Sequence, residues 1–103
     1  MYKLCFFCPT EHTEAVKEAI FSAGGGTLGA YDRCSWQTLG QGQFQAKKGA
    51  NPSVGEIGIL ETVAEYKVEI LVSEDNLDDA ITALCKRHPY EEPAWEVYKI
   101  HLP

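Results

Sequence analysis

The 103-residue sequence has no apolar run long enough to cross a membrane, and it has few basic side chains. Nine Lys and Arg stand against fifteen Asp and Glu, which gives a formal net charge of −6. A nucleic-acid partner is not expected, because phosphate binding needs a surplus of positive charge. The first residues also lack the long apolar core and small-residue cleavage site of a signal peptide. We therefore expect a cytoplasmic protein with no membrane or nucleic-acid partner.

The chain has four cysteines, and two of them have C-x-x-C spacing. Cys5 and Cys8 lie in an apolar stretch that predicts a strand, where side chains three apart point to opposite faces. This geometry is poor for binding one metal ion, and the redox motif instead needs its first cysteine at a helix N-terminus. Without a secretory signal, a disulfide between Cys34 and Cys85 is not expected. We predict four reduced thiols and no structural zinc.

The length is typical of one domain, spanning residues 1–103. With 45% hydrophobic residues, such a domain can bury a core without disulfides or metal ions. Residues 2–8 are apolar and rich in aromatics, which predicts a central strand. A helix follows, with Thr10 as its N-cap and small apolar residues at helical spacing. Next come a strand over 31–39, a tight turn at 40–42 and a return strand over 43–46.

The triple glycine Gly24–Gly26 invites comparison with phosphate-binding loops. Such loops precede a helix, where free backbone N–H groups point outward. Here the glycines follow a helix, and no Gly-Lys-Ser/Thr motif comes after them. We interpret them as a helix C-cap, because glycine accepts the left-handed conformation that this position needs.

The second half of the sequence repeats the strand and helix signals. Residues 54–58 are consistent with a bulged edge segment, and residues 63–72 alternate regularly between charged and apolar side chains. This alternation predicts a strand with one covered and one wetter face. A helix over 74–87 ends before Pro89, and a last strand follows over 95–102. The βαββαβ order predicts an α+β, ferredoxin-like fold, with an antiparallel sheet and both helices on one face.

The densest group of titratable side chains lies between the second helix and the last strand. His88, Tyr90, Glu91 and Glu92 fall within five positions. Imidazole and carboxylate groups are good ligands for divalent metals, so His88, Glu91 and Glu92 are candidate metal ligands, and all four residues are candidates for binding a small ligand. No pair of nucleophile and base is visible, so we assign no catalytic residue.

We favour a structural role for the same four residues over ligand binding. His88 would bond a carbonyl of the last helical turn, and Tyr90 would pack its ring and tether its hydroxyl. The two glutamates would face water or pair with Lys86 or Arg87.

Four short motifs occur in order along the chain: Gly40-x-Gly42-x-Phe44, Gly49-Ala50-Asn51-Pro52-x-x-Gly55, Glu61-x-Val63-x-Glu65 and His88-Pro89-Tyr90-Glu91-Glu92-Pro93-Ala94. Together they resemble the YqfO-type domain of the Nif-three-like family. That domain is described as similar to the PII signalling proteins and to CutA, which are ferredoxin-like trimers. The resemblance therefore implies the same PII/CutA-like fold and a homotrimer.

Two further consequences follow from the resemblance. PII proteins bind nucleotides with a long loop between their middle strands, so Lys47, Lys48 and Asn51 are candidates for anion binding. We favour an ordinary solvated loop over this site. In the Nif-three-like family this domain is usually inserted into a larger protein that binds a pair of metal ions. The segments that supply those metal ligands are absent here, so that chemistry cannot be assigned to any residue of this chain.

Two functions from different classes fit these observations. The first is a non-enzymatic, homo-oligomeric binding or regulatory module, which senses a divalent metal ion or a small ligand at the clefts between its subunits. The second is an accessory subunit or remnant of a metal-dependent, hydrolase-like protein of the same family. No cofactor is identified, and a divalent metal ion is the candidate.

Overall fold

The fold, as a computed structural model that describes residues 1–103, contains four strands and two α-helices. They are β1 (Tyr2–Pro9), α1 (Thr13–Ser22, after a 3₁₀ turn over Thr10–His12), β2 (Trp36–Gln45), β3 (Leu60–Val72), α2 (Glu74–Arg87) and β4 (Trp95–Lys99). The sheet order is β2-β3-β1-β4, and every neighbouring pair is antiparallel. The predicted ferredoxin-like arrangement is confirmed.

Both helices cover the same face of the sheet, and the hydrophobic core lies between the helices and the sheet. Alternate residues of β1 and β3 point toward the helices, which contribute one short apolar stripe each. The buried core residues are Leu4, Phe6, Cys8, Val68, Ile70 and Val72 from the sheet, and Val16, Ile20, Ala80 and Leu84 from the helices. Neither helix is both long and apolar enough to span a membrane.

The other face of the sheet is not covered by a helix and carries mostly charged and aromatic side chains. Cys5 lies on this face, directly opposite Glu69 of β3 and Glu96 of β4. It is nevertheless only 2% exposed, with the Lys3–Glu69 ion pair beside it at 3.5 Å. The predicted opposite orientation of Cys5 and Cys8 is confirmed, since Cys8 belongs to the core on the helix side.

The turn predicted at residues 40–42 is wrong. β2 is one continuous strand, paired with β3 from Trp36 to Gln45, and it starts later than the predicted Tyr31. Glycine at position 42 has a tertiary reason instead, because a Cβ there would lie 2.6 Å from Cδ of Glu65. The chain reverses after β2, through a long connection over residues 46–59.

The glycines after α1 do end the helix, as predicted. Gly24 has a φ of +101°, and the Gly25 N–H donates to the Ile20 carbonyl at 3.0 Å. The predicted Thr10 cap does not form, since no side chain caps either the 3₁₀ turn or α1. Thr13 instead donates its hydroxyl to the Pro9 carbonyl at 3.0 Å.

Candidate functional site

The corner between α2 and β4 is held to the sheet by His88. This residue is buried, and its Nε2 lies 2.6 Å from the Phe7 carbonyl oxygen, to which it donates. Its Nδ1 accepts a hydrogen bond from the Tyr90 backbone N–H at 3.1 Å. These two bonds define the neutral Nε2–H tautomer. A structural bond to a carbonyl was expected, but its partner lies in β1 and not in the last turn of α2.

The charge state of His88 follows from its surroundings. Burial lowers the pKa of His88, and this effect outweighs the opposing influence of the bond to the Phe7 carbonyl. Because both ring nitrogens are occupied, a metal ion could bind His88 only by displacing one of these hydrogen bonds. Across residues 1–103, His88, Glu91 and Glu92 included, no three His, Cys, Asp or Glu side chains are grouped so that they could hold a metal ion.

Tyr90 connects the corner to the two long strands. Its hydroxyl donates to Oε2 of Glu65 on β3 at 2.9 Å. Its ring packs against Phe44 of β2, with the ring centroids 5.9 Å apart and the planes tilted by 59°. Burial, followed by the hydrogen bond to Glu65, raises the pKa of Tyr90. The hydroxyl is therefore a neutral donor that fixes one carboxylate oxygen of Glu65.

Glu91 connects the corner to the loop that follows β2. Its Oε1 accepts a hydrogen bond from the Asn51 backbone N–H at 2.8 Å. The expected pairing with Lys86 or Arg87 is not found, because this loop folds back and presents its own donor. Glu92 is exposed beside it.

The corner, this loop and the ends of β2 and β3 enclose a cavity of about 360 Å³. The cavity lies between the corner and the loop after β2, which the sequence identified as two separate candidate sites. Of the predicted residues, Tyr90, Glu91 and Glu92 line the cavity; Lys47 and Lys48 are exposed outside the lining. The remaining lining residues are Phe7, Gly42, Gln43, Phe44, Ala46, Ala50, Pro52, Ser53, Val54, Glu65 and Ala94.

Glu65 and Phe44 were not identified as site residues from the sequence. Glu65 belongs to the alternating pattern that predicts a strand with one wetter face, and the structure places it on the open face of the sheet. Its link to Tyr90 spans 25 residues, and the Phe44–Tyr90 contact spans more. The alternation in β3 and the Gly42-x-Phe44 motif were the available signals, but neither indicates a partner in the corner.

Comparison with known proteins gives relatives over nearly the whole chain. No protein-family model matches. The GTP cyclohydrolase 1 type 2 homolog of Halalkalibacterium halodurans is 42% identical over 100 residues, which is 97% of this chain but 27% of that protein. The chain therefore spans about a quarter of the length of this curated relative.

Solved structures extend the comparison to the fold. A Bacillus cereus protein related to NIF3 matches with a TM-score of 0.80 and 34% identity, over 94% of this chain and 24% of that chain. The PII-like protein CutA from Nostoc sp. PCC 7120 matches with a TM-score of 0.65 and 21% identity, over 97% of this chain and 81% of that chain. The periplasmic divalent cation tolerance protein CutA from Archaeoglobus fulgidus matches with a TM-score of 0.70 and 14% identity, over 100% of this chain and 87% of that chain. The chain is thus homologous to one region of the GTP cyclohydrolase 1 type 2 homologs and shares the fold of PII-like CutA proteins.

Proposed function

We propose that this chain is a non-enzymatic, self-associating module that binds a small ligand in the cavity beside Tyr90. We further propose that it corresponds to the YqfO-type inserted domain of the Nif-three-like family, acting in the cytoplasm as one domain over residues 1–103. One observation carries the proposal: two segments forty residues apart are joined by the Asn51–Glu91 hydrogen bond and together enclose a cavity lined by rings and carboxylates.

Binding is favoured over catalysis by the state of the polar groups around the cavity. His88 uses both ring nitrogens on backbone groups, so it has no free position from which to move a proton. Burial raises the pKa of Tyr90, so its hydroxyl stays protonated and gives up its proton even less readily than an ordinary tyrosine. Groups that are fixed in this way orient a ligand well but exchange protons poorly.

Self-association is supported by the uncovered face of the sheet. Trp36 on edge strand β2 and Tyr98 on edge strand β4 are 68% and 48% exposed, and both lie on this face. Large exposed aromatic rings on a sheet that also has two unpaired edges are typical of a surface that another chain covers. With the PII-like CutA fold in mind, we propose a homotrimer.

Protein-observed NMR titration with a mixed set of cationic, neutral and anionic small molecules, together with Zn²⁺ and Mn²⁺, tests the binding function. At least one class is expected to bind and to perturb the resonances of Phe44 and Tyr90. If no molecule of any class bound, the proposal would be contradicted.

An accessory role in a longer protein is the second candidate, and one observation favours it. The Ile100 N–H donates to the Met1 carbonyl at 3.1 Å, so the start of β1 and the end of β4 lie side by side. This geometry suits a domain inserted between two parts of another fold. Co-purification with the remaining three quarters of a homologous GTP cyclohydrolase 1 type 2 homolog, expressed separately, would support it, and failure to associate at micromolar concentrations would contradict it.

A further inference from the structure

From the walls of the cavity beside Tyr90, we infer that its ligand is a small organic cation, with an ammonium or guanidinium group. The inference rests on the proposed binding function and specifies the chemical class of the ligand. It goes beyond the candidates drawn from the sequence, which were a divalent metal ion and an anion.

The charge of the lining has one sign. Glu65, Glu91 and Glu92 line the cavity, and no Lys, Arg or His is among the lining residues. An anion such as a phosphate would meet three carboxylates without a compensating charge. A cation would be attracted by all three carboxylates.

The rest of the lining favours an organic cation over a metal ion. Phe7, Phe44 and Tyr90 contribute aromatic surface, beside alanines, a proline and Val54. A hard divalent ion needs several oxygen ligands and gains nothing from such walls. An alkylammonium or alkylguanidinium ion gains from both, because its charge is attracted to ring faces and its carbon atoms bury against apolar surface.

Two of the carboxylates are held in position before a ligand arrives. Tyr90 donates to one oxygen of Glu65, and the Asn51 N–H donates to one oxygen of Glu91. Each carboxylate thus keeps its second oxygen for a ligand donor. Holding these groups in place reduces the entropy that binding would otherwise cost.

Choline and its neutral isostere 3,3-dimethyl-1-butanol provide a matched pair of probes, because they differ in charge and hardly in shape. The chain over residues 1–103 is titrated with each probe and followed by NMR. Butylguanidinium is titrated in parallel to test the second cationic group. We expect at least one cation to bind about tenfold more tightly than the neutral isostere, with shifts at Phe44 and Tyr90.

Two isosteric variants test the carboxylate. Glu65→Gln keeps an acceptor for the Tyr90 hydroxyl but removes the charge, so it should weaken cation binding about tenfold. Glu69→Gln is the control, since Glu69 lies on the same strand and face but outside the cavity. The inference would be overturned if neither choline nor butylguanidinium bound more tightly than the neutral isostere. It would also be overturned if phosphate or Zn²⁺ bound more tightly than the organic cations, or if Glu65→Gln and Glu69→Gln changed the affinity equally. If no probe of any class binds, the proposed function itself fails.

Discussion

His88 couples the stability of the protein to pH, because it is buried as a neutral ring with both nitrogens bonded. Burial lowers its pKa in the folded state, below the value near 6.5 of an unfolded chain. The unfolded state therefore takes up the proton first as pH falls. The stability contributed by neutral His88 is complete above about pH 6.5 and is lost as pH falls through the lowered pKa of the folded state.

His88→Ala should accordingly reduce the free energy of unfolding by about 1–3 kcal/mol at pH 8, because two backbone groups lose a buried partner. The difference between wild type and variant should shrink steadily between pH 7 and pH 5, since alanine does not titrate. Urea unfolding at four pH values measures it. A difference that stays constant or grows toward acid would contradict the neutral, buried state.

The four cysteines should differ sharply in reactivity, because only a thiolate in contact with solvent reacts quickly. Burial raises the pKa of Cys8 to about 11 and also raises the pKa of Cys5, whereas Cys85 is exposed on α2. Alkylation of the native protein at pH 8, followed by mass spectrometry of its peptides, should label Cys85 within minutes and leave Cys5 and Cys8 unmodified. In urea all should react. Labelling of Cys8 at the rate of Cys85 in the native protein would be inconsistent with this core.

At the scale of single elements, β2 provides a matched pair of glycines. Gly40 and Gly42 point to the same face of the sheet, but a Cβ at position 40 meets open space, whereas one at position 42 meets the Glu65 side chain. Gly42→Ala should displace that carboxylate and break its bond to the Tyr90 hydroxyl.

We expect Gly42→Ala to be about 1 kcal/mol less stable than Gly40→Ala in urea unfolding, which is the value of one such hydrogen bond. The Tyr90 ring resonances should shift only in Gly42→Ala. Identical stability and spectra of the two variants would mean that Glu65 does not depend on the space at Gly42.

The same strand marks the limit of what the sequence predicts about elements. The bounds of α2 and the two faces of β3 were predicted correctly, because Pro89 ends the helix locally and the alternation in β3 is regular. Gly40-x-Gly42 was interpreted as a turn, the usual local meaning of paired glycines. The reason for glycine at 42 is the Glu65 side chain on the next strand, which local reasoning does not include.

The candidate site divides in the same way. The corner residues His88 to Glu92 were identified because they are close in sequence, and His88 has the structural role that the sequence favoured. The cavity was not predictable, since it depends on the contact of Phe44 with Tyr90 and of Asn51 with Glu91. Both contacts join segments that are about forty residues apart, and nothing in either segment specifies the other.

At the scale of the whole molecule, the uncovered sheet face raises the question of whether a second chain covers it, which the oligomeric state answers. Trp36 lies on this face at the edge strand, directly opposite Glu69, and is 68% exposed. A partner chain that covered this ring would remove a large apolar area from water, worth about 25 cal/mol for each square ångström. Arginine at the same position can pair with Glu69 in the monomer, so the fold should tolerate it.

Trp36→Arg is therefore expected to shift the proposed homotrimer toward the monomer while leaving the circular dichroism spectrum unchanged. Tyr31→Arg is the control, because Tyr31 is also a largely exposed ring but lies outside the four strands. Sedimentation velocity of the three proteins at micromolar concentrations measures the masses. A monomeric wild type would contradict the proposed trimer. If Trp36→Arg stayed trimeric while Tyr31→Arg dissociated, the interface would lie at the loop before β2 and not on the open sheet face.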